Sequence, residues 1–436
     1  MYTVCKEFYD EGMYKGMKKK VLAFAAAAVL AAPQMVGAEG FAIYEWSAEG
    51  MGMAGARMFA ENDAANLAYN PASITKVEGE AFKVSATYLS PHGKYDVVET
   101  NHFGPPVVVV SGHNRVHPAW APGMYYVKQI NDKEWFGMGT WSRFGMVSQF
   151  ERNSLPGSNS FSAKLNGITL GANYTRKLDK KWTGSLGAEV NYVGLQLDKN
   201  AFAPTVAASP LHIEGETYAL GWNAAANYAF DDKNEVGLVY RSAINHSMDA
   251  DYDAHGILPT VGGYGDTGDA YACVSLPESL TLGYNHKFND KTRVELNYIW
   301  TRWERYNALD ITFTPDEPGL APTFVAQPKN WTNGKRFAIG LEHKFSDKYS
   351  GMLGYAFDHS NIPFDGGDFL IPTGTRSTYS IGAQYHDKKQ TLAVSLGWMN
   401  VGSLDFKGGH AGETYDSAHT RDSYTKMASI SYQRNF

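Results

Sequence analysis

Apolar and aromatic side chains fall on every second position over much of this chain, with Gly, Ser, Thr, Asn or charge between them. In one stretch Leu220, Trp222, Ala224, Ala226 and Tyr228 alternate with Gly221, Asn223, Ala225 and Asn227. A period of two predicts a β-strand with two unlike faces. The next stretch sets Val236, Leu238 and Tyr240 against Glu235, Gly237 and Arg241, after only Asp231-Asp232-Lys233-Asn234. Asp and Asn fold the chain back by bonding their own backbone, so the pair is a predicted hairpin. Four more pairs repeat the plan. Ile168–Tyr174 meets Leu186–Tyr192 through Asp179-Lys180-Lys181, and Leu280–Tyr284 meets Val294–Trp300 through Asn289-Asp290-Lys291. Phe337–Leu341 meets Leu353–Phe357 through Ser346-Asp347-Lys348, and Tyr379–Tyr385 meets Leu392–Trp398 through Asp387-Lys388-Lys389.

The connections on the other side are long and polar, at about 91–116, 147–160, 198–213, 245–275, 304–334, 358–375 and 401–422. Further strands near 81–90, 119–130, 134–146 and 423–436 bring the predicted number to fourteen. An even number of strands of about ten residues, joined alternately by short turns and long loops, is the layout of an outer-membrane barrel. A soluble sandwich also alternates. Here, however, Tyr, Trp and Phe gather near strand ends on the apolar parity, and the other parity is too polar for a packed core, which predicts a wet lumen. The last strand ends on this pattern: Tyr424, Ala428, Ile430, Tyr432 and terminal Phe436 share a parity, and Arg434 breaks it from a place where it can snorkel to headgroups.

Composition narrows the class further. With 39 basic and 45 acidic side chains the net charge is -6, which favours no nucleic-acid partner. Mean hydropathy is -0.35. No run of about 20 apolar residues follows the N-terminal segment, which excludes a helical bundle. Cys5 and Cys273 are the only cysteines, too few for a disulfide framework. At the N-terminus Lys18-Lys19-Lys20, the apolar run Val21–Ala32 and the small-residue ending Val36-Gly37-Ala38 read as a cleaved export signal over 1–38, with Met17 a candidate start.

Residues 39–79 do not alternate. They hold Gly40-Phe41, Trp46-Ser47, Gly50-Met51-Gly52-Met53-Ala54-Gly55, Asp63-Ala64-Ala65-Asn66 and Asn70-Pro71-Ala72-Ser73, a mixture that suits a compact plug ahead of the barrel at 80–436. With Ser142-Arg143-Phe144-Gly145, Gly221-Trp222-Asn223, Tyr240-Arg241-Ser242, Leu276-Pro277-Glu278 and Gly354-Tyr355-Ala356-Phe357-Asp358, in this order, the mature chain resembles the FadL family of outer-membrane hydrophobic-compound transporters (OMPP1/FadL/TodX type).

The resemblance implies an all-β fold: a monomeric, fourteen-stranded transmembrane barrel with an N-terminal hatch in its lumen, set in outer-membrane lipid and lipopolysaccharide. It also implies that a hydrophobic ligand, a long-chain fatty acid or alternatively an aromatic hydrocarbon, is caught by an extracellular groove and leaves sideways through the wall. No cofactor, metal or energy source is required. The kink that opens the wall is expected in the third strand, with Phe144-Gly145 the candidate, because Gly carries no side chain to block an opening. The hatch turn Asn70-Pro71-Ala72 matches the family motif that lies near the kink. Phe41, Trp46, Met51, Met53 and Phe144 are candidates for an apolar lining, Met being adaptable to varied ligands. Parity points Lys83, Arg241 and Arg336 inward, and Arg241 and Arg336 are the candidates for a ligand carboxylate; Glu189, Glu295 and Glu342 also point inward, so simple pairing competes with that role.

Other motifs carry less. Gly50, Gly52 and Gly55 spell G-x-G-x-x-G but no βαβ unit surrounds them, so close packing is expected. His113 and His117 sit in a loop before Pro118. Asp249, Asp251 and Asp253 mimic a calcium loop, yet Ala254 and Thr260 stand where Gly and Glu are needed. A general porin or adhesin, or a barrel enzyme, are the alternatives of another class; no G-x-S-x-G or H-E-x-x-H supports the enzyme.

Overall fold

The computed structural model describes residues 40–99, 108–201, 209–254, 266–409, 413 and 415–436; the export signal lies outside them. The alternating sequence forms one closed antiparallel sheet, in which fourteen spans are built from twenty-one strand segments. They are β1 (Glu80–Glu99), β2 (Val108–His113 and Ala119–Asn131), β3 (Glu134–Trp141 and Gly145–Gln149), β4 (Ser162–Lys177), β5 (Trp182–Ala201), β6 (Ser209–Ala229) and β7 (Asn234–Arg241 and Ile244–Asp253). The remainder are β8 (Thr267–Leu276 and Ser279–Lys287), β9 (Thr292–Thr301 and Ala308–Pro315), β10 (Thr323–Pro328 and Gly334–Lys344), β11 (Tyr349–His359), β12 (Arg376–His386), β13 (Gln390–Val401 and Leu404–Lys407) and β14 (Ser417–Asn435). Pairing of Ala81 with Asn435 and onward brings β14 against β1 and closes the ring.

The short turns work as their sequence requires. Asp179 Oδ1 accepts from the backbone N–H groups of Lys181 and Trp182, each at 2.7 Å. Asp231, Asn289 and Asp387 do the same for the residues two and three further on, and Ser346 Oγ does so more loosely. In the half of the wall nearest these turns the apolar parity faces out, as lipid requires: Leu186, Leu220, Trp222, Leu282, Phe337, Leu396 and Ile430 are exposed. The opposite parity carries buried Asn173, Thr175, Glu189, Asn191, Asn223, Asn227, Arg293, Glu295 and Asn297.

The half nearer the long loops departs from the sequence reading in two ways. The strands run on into the expected loops, reaching 20 residues in β5 and 21 in β6. The two faces also exchange character there. On β5 the inward set passes from Ser185, Glu189 and Asn191 to Val193, Leu195 and Leu197, and the upper segment of β7 turns Ile244, Met248, Ala250 and Tyr252 inward. Asp249, Asp251 and Asp253 lie on the outer face of that segment and are strand rather than loop, with Asp251 paired opposite Asp269. Above the membrane the outer face meets water instead of lipid, so the polar residues move outside and the apolar ones pack within. The lumen is thus polar below and apolar above, where a uniformly wet interior was expected.

Residues 40–79 touch opposite arcs of the ring and so lie within it. A short helix α1 (Ala48–Gly52) rests on β11, β12, β13, β14 and β1, while a 3₁₀ turn over Pro71–Lys76 rests on β3, β4, β5 and β6. Ser47 Oγ caps α1 by accepting from Gly50 N–H at 3.0 Å. A second short helix α2 (Asn66–Tyr69) leads into the 3₁₀ turn, which Asn70 caps and Pro71 begins. The glycine pattern has a packing cause: Gly50 leaves room for the Tyr69 hydroxyl, Gly52 abuts the Gly382 backbone of β12, and Gly55 has φ +82°.

Candidate functional site

β3 is interrupted. Its lower segment pairs with β2 as far as Thr140 against Met124, but after Ser142–Phe144 the upper segment Gly145–Gln149 has, among the described residues, a ladder with β4 alone. The upper part of β2, from Ala119 to Gly123, therefore keeps β1 on one side and has no ladder partner from β3 on the other. The N-terminal segment takes up the backbone groups so released. Ala42 bridges Phe144, Ile43 N–H donates to Arg143 C=O at 2.9 Å, and Gly145 N–H donates to Phe41 C=O at 2.9 Å. Gly145 has ordinary negative φ and resumes the strand; the interruption lies just before it. Gly167 on β4 permits the excursion, since a Cβ there would stand 2.5 Å from the Phe144 carbonyl oxygen.

Aromatic rings gather at this break. Phe41 meets Phe144, Trp303, Tyr306 and Trp331 edge-on, at centroid distances of 6.0, 4.8, 5.4 and 6.3 Å. Trp46 donates from Nε1 to Ser142 C=O at 2.6 Å and packs on Tyr69 at 5.0 Å. Beside them is a buried ionic group of unequal sign: Arg143 donates to Glu189 Oε2 at 2.8 Å and Arg241 to Glu189 Oε1, so two guanidiniums share one carboxylate. Among the described residues neither arginine has another acid, which leaves one formal positive charge uncompensated by side chains. Phe144 lies 5.2 Å from the Arg143 guanidinium, and Trp141 lies 5.5 Å from that of Arg241. A cavity of about 40 Å³ between Trp46, Tyr69, Phe144, Arg143 and Arg241 has room for a few waters but not for an acyl chain.

The structure thus brings together Phe41, Trp46, Phe144, Gly145 and Arg241, and adds Arg143, whose place in the Ser-Arg-Phe-Gly motif is read but whose chemistry parity does not reveal. Met51 packs elsewhere, with Ile43, Leu89, Ala121, Met399 and Met427. Met53 lies beside Gly340 and Gly354 of the lower wall, its Sδ 3.4 Å from Arg57. Arg336 pairs with Asp358 at 2.8 Å and donates to Ala54 C=O at 3.0 Å, tying the inner segment to β10 and β11. Asn70-Pro71-Ala72 is not at the break: Asn70 Nδ2 donates to Asn227 at 2.8 Å, and Pro71 C=O accepts from Thr175, nine residues along β4 from the Asn166 that faces Gly145.

Below the break the inner segment is fastened by ions. Arg57 binds Glu342 at 2.7 Å and Asp63 at 3.4 Å, while Lys83 binds Asp63 at 2.6 Å and Glu49 at 2.8 Å. Arg293 joins Glu342 at 2.7 Å to Glu295 at 3.0 Å, and Glu295 also accepts from Met58 N–H. These inward charges are paired, whereas Arg241 shares its one carboxylate with Arg143.

Residues 28–434 match the outer membrane transport protein family OMPP1/FadL/TodX. The chain belongs to that family. Its wall is accordingly an outer-membrane barrel, and the family is one of transporters rather than enzymes. Among curated relatives, the long-chain fatty acid transport protein of Escherichia coli K12 is 25% identical over 411 residues, covering 85% of this chain and 90% of that one. Outer membrane protein P1 of Haemophilus influenzae is 25% identical over 423 residues, covering 88% and 90%. A Pseudomonas aeruginosa FadL homologue shares the fold with a TM-score of 0.79 at 19% identity, covering 91% of this chain and all of that one. The P. putida toluene transporter TodX superposes with a TM-score of 0.67 at 16% identity, covering 90% and 99%.

Proposed function

We propose that this OMPP1/FadL/TodX protein passively carries hydrophobic compounds, long-chain fatty acids above all, across the lipopolysaccharide leaflet. The ligand enters an apolar vestibule above and leaves sideways where β3 is interrupted. The observation that carries the reading is the interruption at Ser142–Phe144, because it is a gap in the ladder placed where the apolar upper lumen meets the lipid-facing belt. An oily chain is stabilised by about 0.8 kcal/mol per CH₂ removed from water. Apolar surface inside and lipid outside therefore give it a continuous downhill path that needs no energy source.

Two further features support the sideways route and the acid. Leaving straight down would require displacing the inner segment, and each buried ion pair broken on one side costs about 3–5 kcal/mol. Three such pairs fasten Glu49, Arg57 and Asp63 to the wall, so the inner segment serves as a fixed hatch. The Arg143–Glu189–Arg241 group is one negative charge short, and a carboxylate arriving there completes it with charge-assisted bonds. A second reading, transport of aromatic hydrocarbons by the same route, is favoured by the rings of Phe41, Phe144, Trp303, Tyr306 and Trp331 around the break. The hatch argues against an open porin or an adhesin scaffold. The protein acts as a monomer in contact with lipopolysaccharide and outer-membrane lipid.

The test is growth of a transporter-deficient strain on oleate or on toluene with this chain supplied. Oleate growth restored, and lost again with Arg143→Ala, supports the acid; growth on toluene alone supports the second reading. No restoration on either, with the barrel folded in the membrane, overturns the proposal.

A further inference from the structure

At the extracellular end of the lumen one ring sits at the centre of an aromatic cluster. Phe369, in the connection between β11 and β12, is fully buried among Tyr95, Phe150, Phe406 and Tyr415, with centroids at 5.5, 5.1, 5.0 and 5.4 Å and interplanar angles of 74–78°. All four rings meet it edge to face, an arrangement that rewards an aromatic guest through its quadrupole and gives a methylene chain nothing beyond contact. The four come from separate parts of the chain: Tyr95 from β1, Phe150 from just after β3, Phe406 from the upper segment of β13, and Tyr415 from the connection between β13 and β14.

The segment that carries Phe369 is held by scattered hydrogen bonds rather than a ladder: the Asn361, Phe364 and Thr375 carbonyls accept from Thr332, Lys407 and Gly402 N–H at 2.9, 2.8 and 2.6 Å. Asp368 pairs with buried Lys329, Phe369 N–H donates to Asn159 Oδ1 at 3.0 Å, and Trp331 Nε1 donates to Gly366 C=O at 3.0 Å. Between the described residues 360–375 and the wall no ladder forms. Next to the ring, Leu370 and Ile371 close over a cavity of about 90 Å³ lined by Tyr95, Met146, Phe150 and Met399. An apolar hole of about 150 Å³ admits benzene, so this space is too small for an arene unless Phe369 moves.

We propose that the cage of Tyr95, Phe150, Phe406 and Tyr415 is a receiving site for an aromatic ring, and that Phe369 is its resident occupant, displaced when an arene arrives. The segment 360–375 then lifts as a lid, and the vacated cage and the cavity beside it form one apolar site. The site is separate from the Arg143–Glu189–Arg241 group and does not depend on which ligand that group accepts.

The test measures fluorobenzene binding to the purified full chain by ¹⁹F NMR, against detergent micelles alone. Asp368→Asn, at constant volume, and Asn159→Ala, outside the ring cage, both loosen the segment; each tightens the apparent Kd for fluorobenzene about tenfold, as expected when a competing occupant is released. Phe369→Ala removes the occupant and tightens it further. If Phe369→Ala binds the probe while both loosening variants, shown folded by heat-dependent gel mobility, match the wild type, Phe369 is a static part of the core and the proposal fails. Unchanged binding in all three variants overturns it as well.

Discussion

Ala42 of the hatch forms an antiparallel bridge with Phe144 of the third barrel span, the point at which that span has left its neighbour. The inner segment therefore does more than fill space. It supplies backbone partners to Arg143 and Gly145 where the wall has given up its own.

Arg143→Ala removes the surplus positive charge and leaves Glu189 paired with Arg241, so the barrel should fold. A charge-assisted hydrogen bond contributes about 1.5–3 kcal/mol, and oleate affinity is expected to fall by roughly 10- to 100-fold. Toluene affinity should stay unchanged. Tryptophan fluorescence titration with both ligands checks this; equal losses for both would point to a packing role.

Gly167→Ala places a methyl group against the Phe144 carbonyl and must push the interruption out of shape. The expected cost is about 1–3 kcal/mol of stability, accompanied by slower oleate uptake in cells. An uptake rate and a denaturation midpoint both equal to wild type would remove the close approach from the account.

Deleting residues 39–79 should turn a poorly conducting barrel into an open pore in planar bilayers. Wild-type protein that already conducts at the level of the deletion would show that the inner segment seals nothing.

The hatch should also loosen in acid. Burial raises the Glu61 carboxyl, but Lys76 at 3.4 Å and Lys287 at 2.8 Å outweigh it and hold the group at about 2. A carboxyl depressed on folding stabilises the structure above its unfolded value, near 4.3, and that contribution disappears as pH falls toward 2. Conductance measured across this window is expected to rise as pH falls, with a smaller change in Glu61→Gln.

Much of this was legible from alternation alone, and the exceptions share one cause. The hairpins follow from turns such as Asp179-Lys180-Lys181, whose first side chain bonds the two N–H groups that begin the return strand. Parity placed Glu189, Arg241, Glu295 and Glu342 inside correctly, because lipid on the outside leaves polar side chains no other place. Beyond Tyr192 the same rule runs in reverse: water replaces lipid, Val193 and Leu195 turn inward, and a continuous strand reads as a loop with scattered aspartates. Arg143 escaped for a local reason. It lies in three residues that belong to no ladder, where side-chain direction is set by contacts with Phe41 and Ile43 of the hatch, and a period of two says nothing about it. Met51 and Met53 read as ligand lining by composition; in the structure Met51 packs on Ile43, Leu89, Met399 and Met427, and Met53 lies against Gly340 and Gly354.

The central claim is the sideways exit, and a photoreactive fatty acid tests it most directly. Cells bearing the protein are illuminated during uptake of a diazirine-labelled oleate, and the adducts are mapped by mass spectrometry. The account predicts labels on Ala119–Gly123 of β2 and Trp141–Val147 of β3, with few on the lower hatch. Labels concentrated on Arg57–Asp63 and Gln433, at the periplasmic end of the lumen, would mean that the ligand passes straight through, and would contradict it.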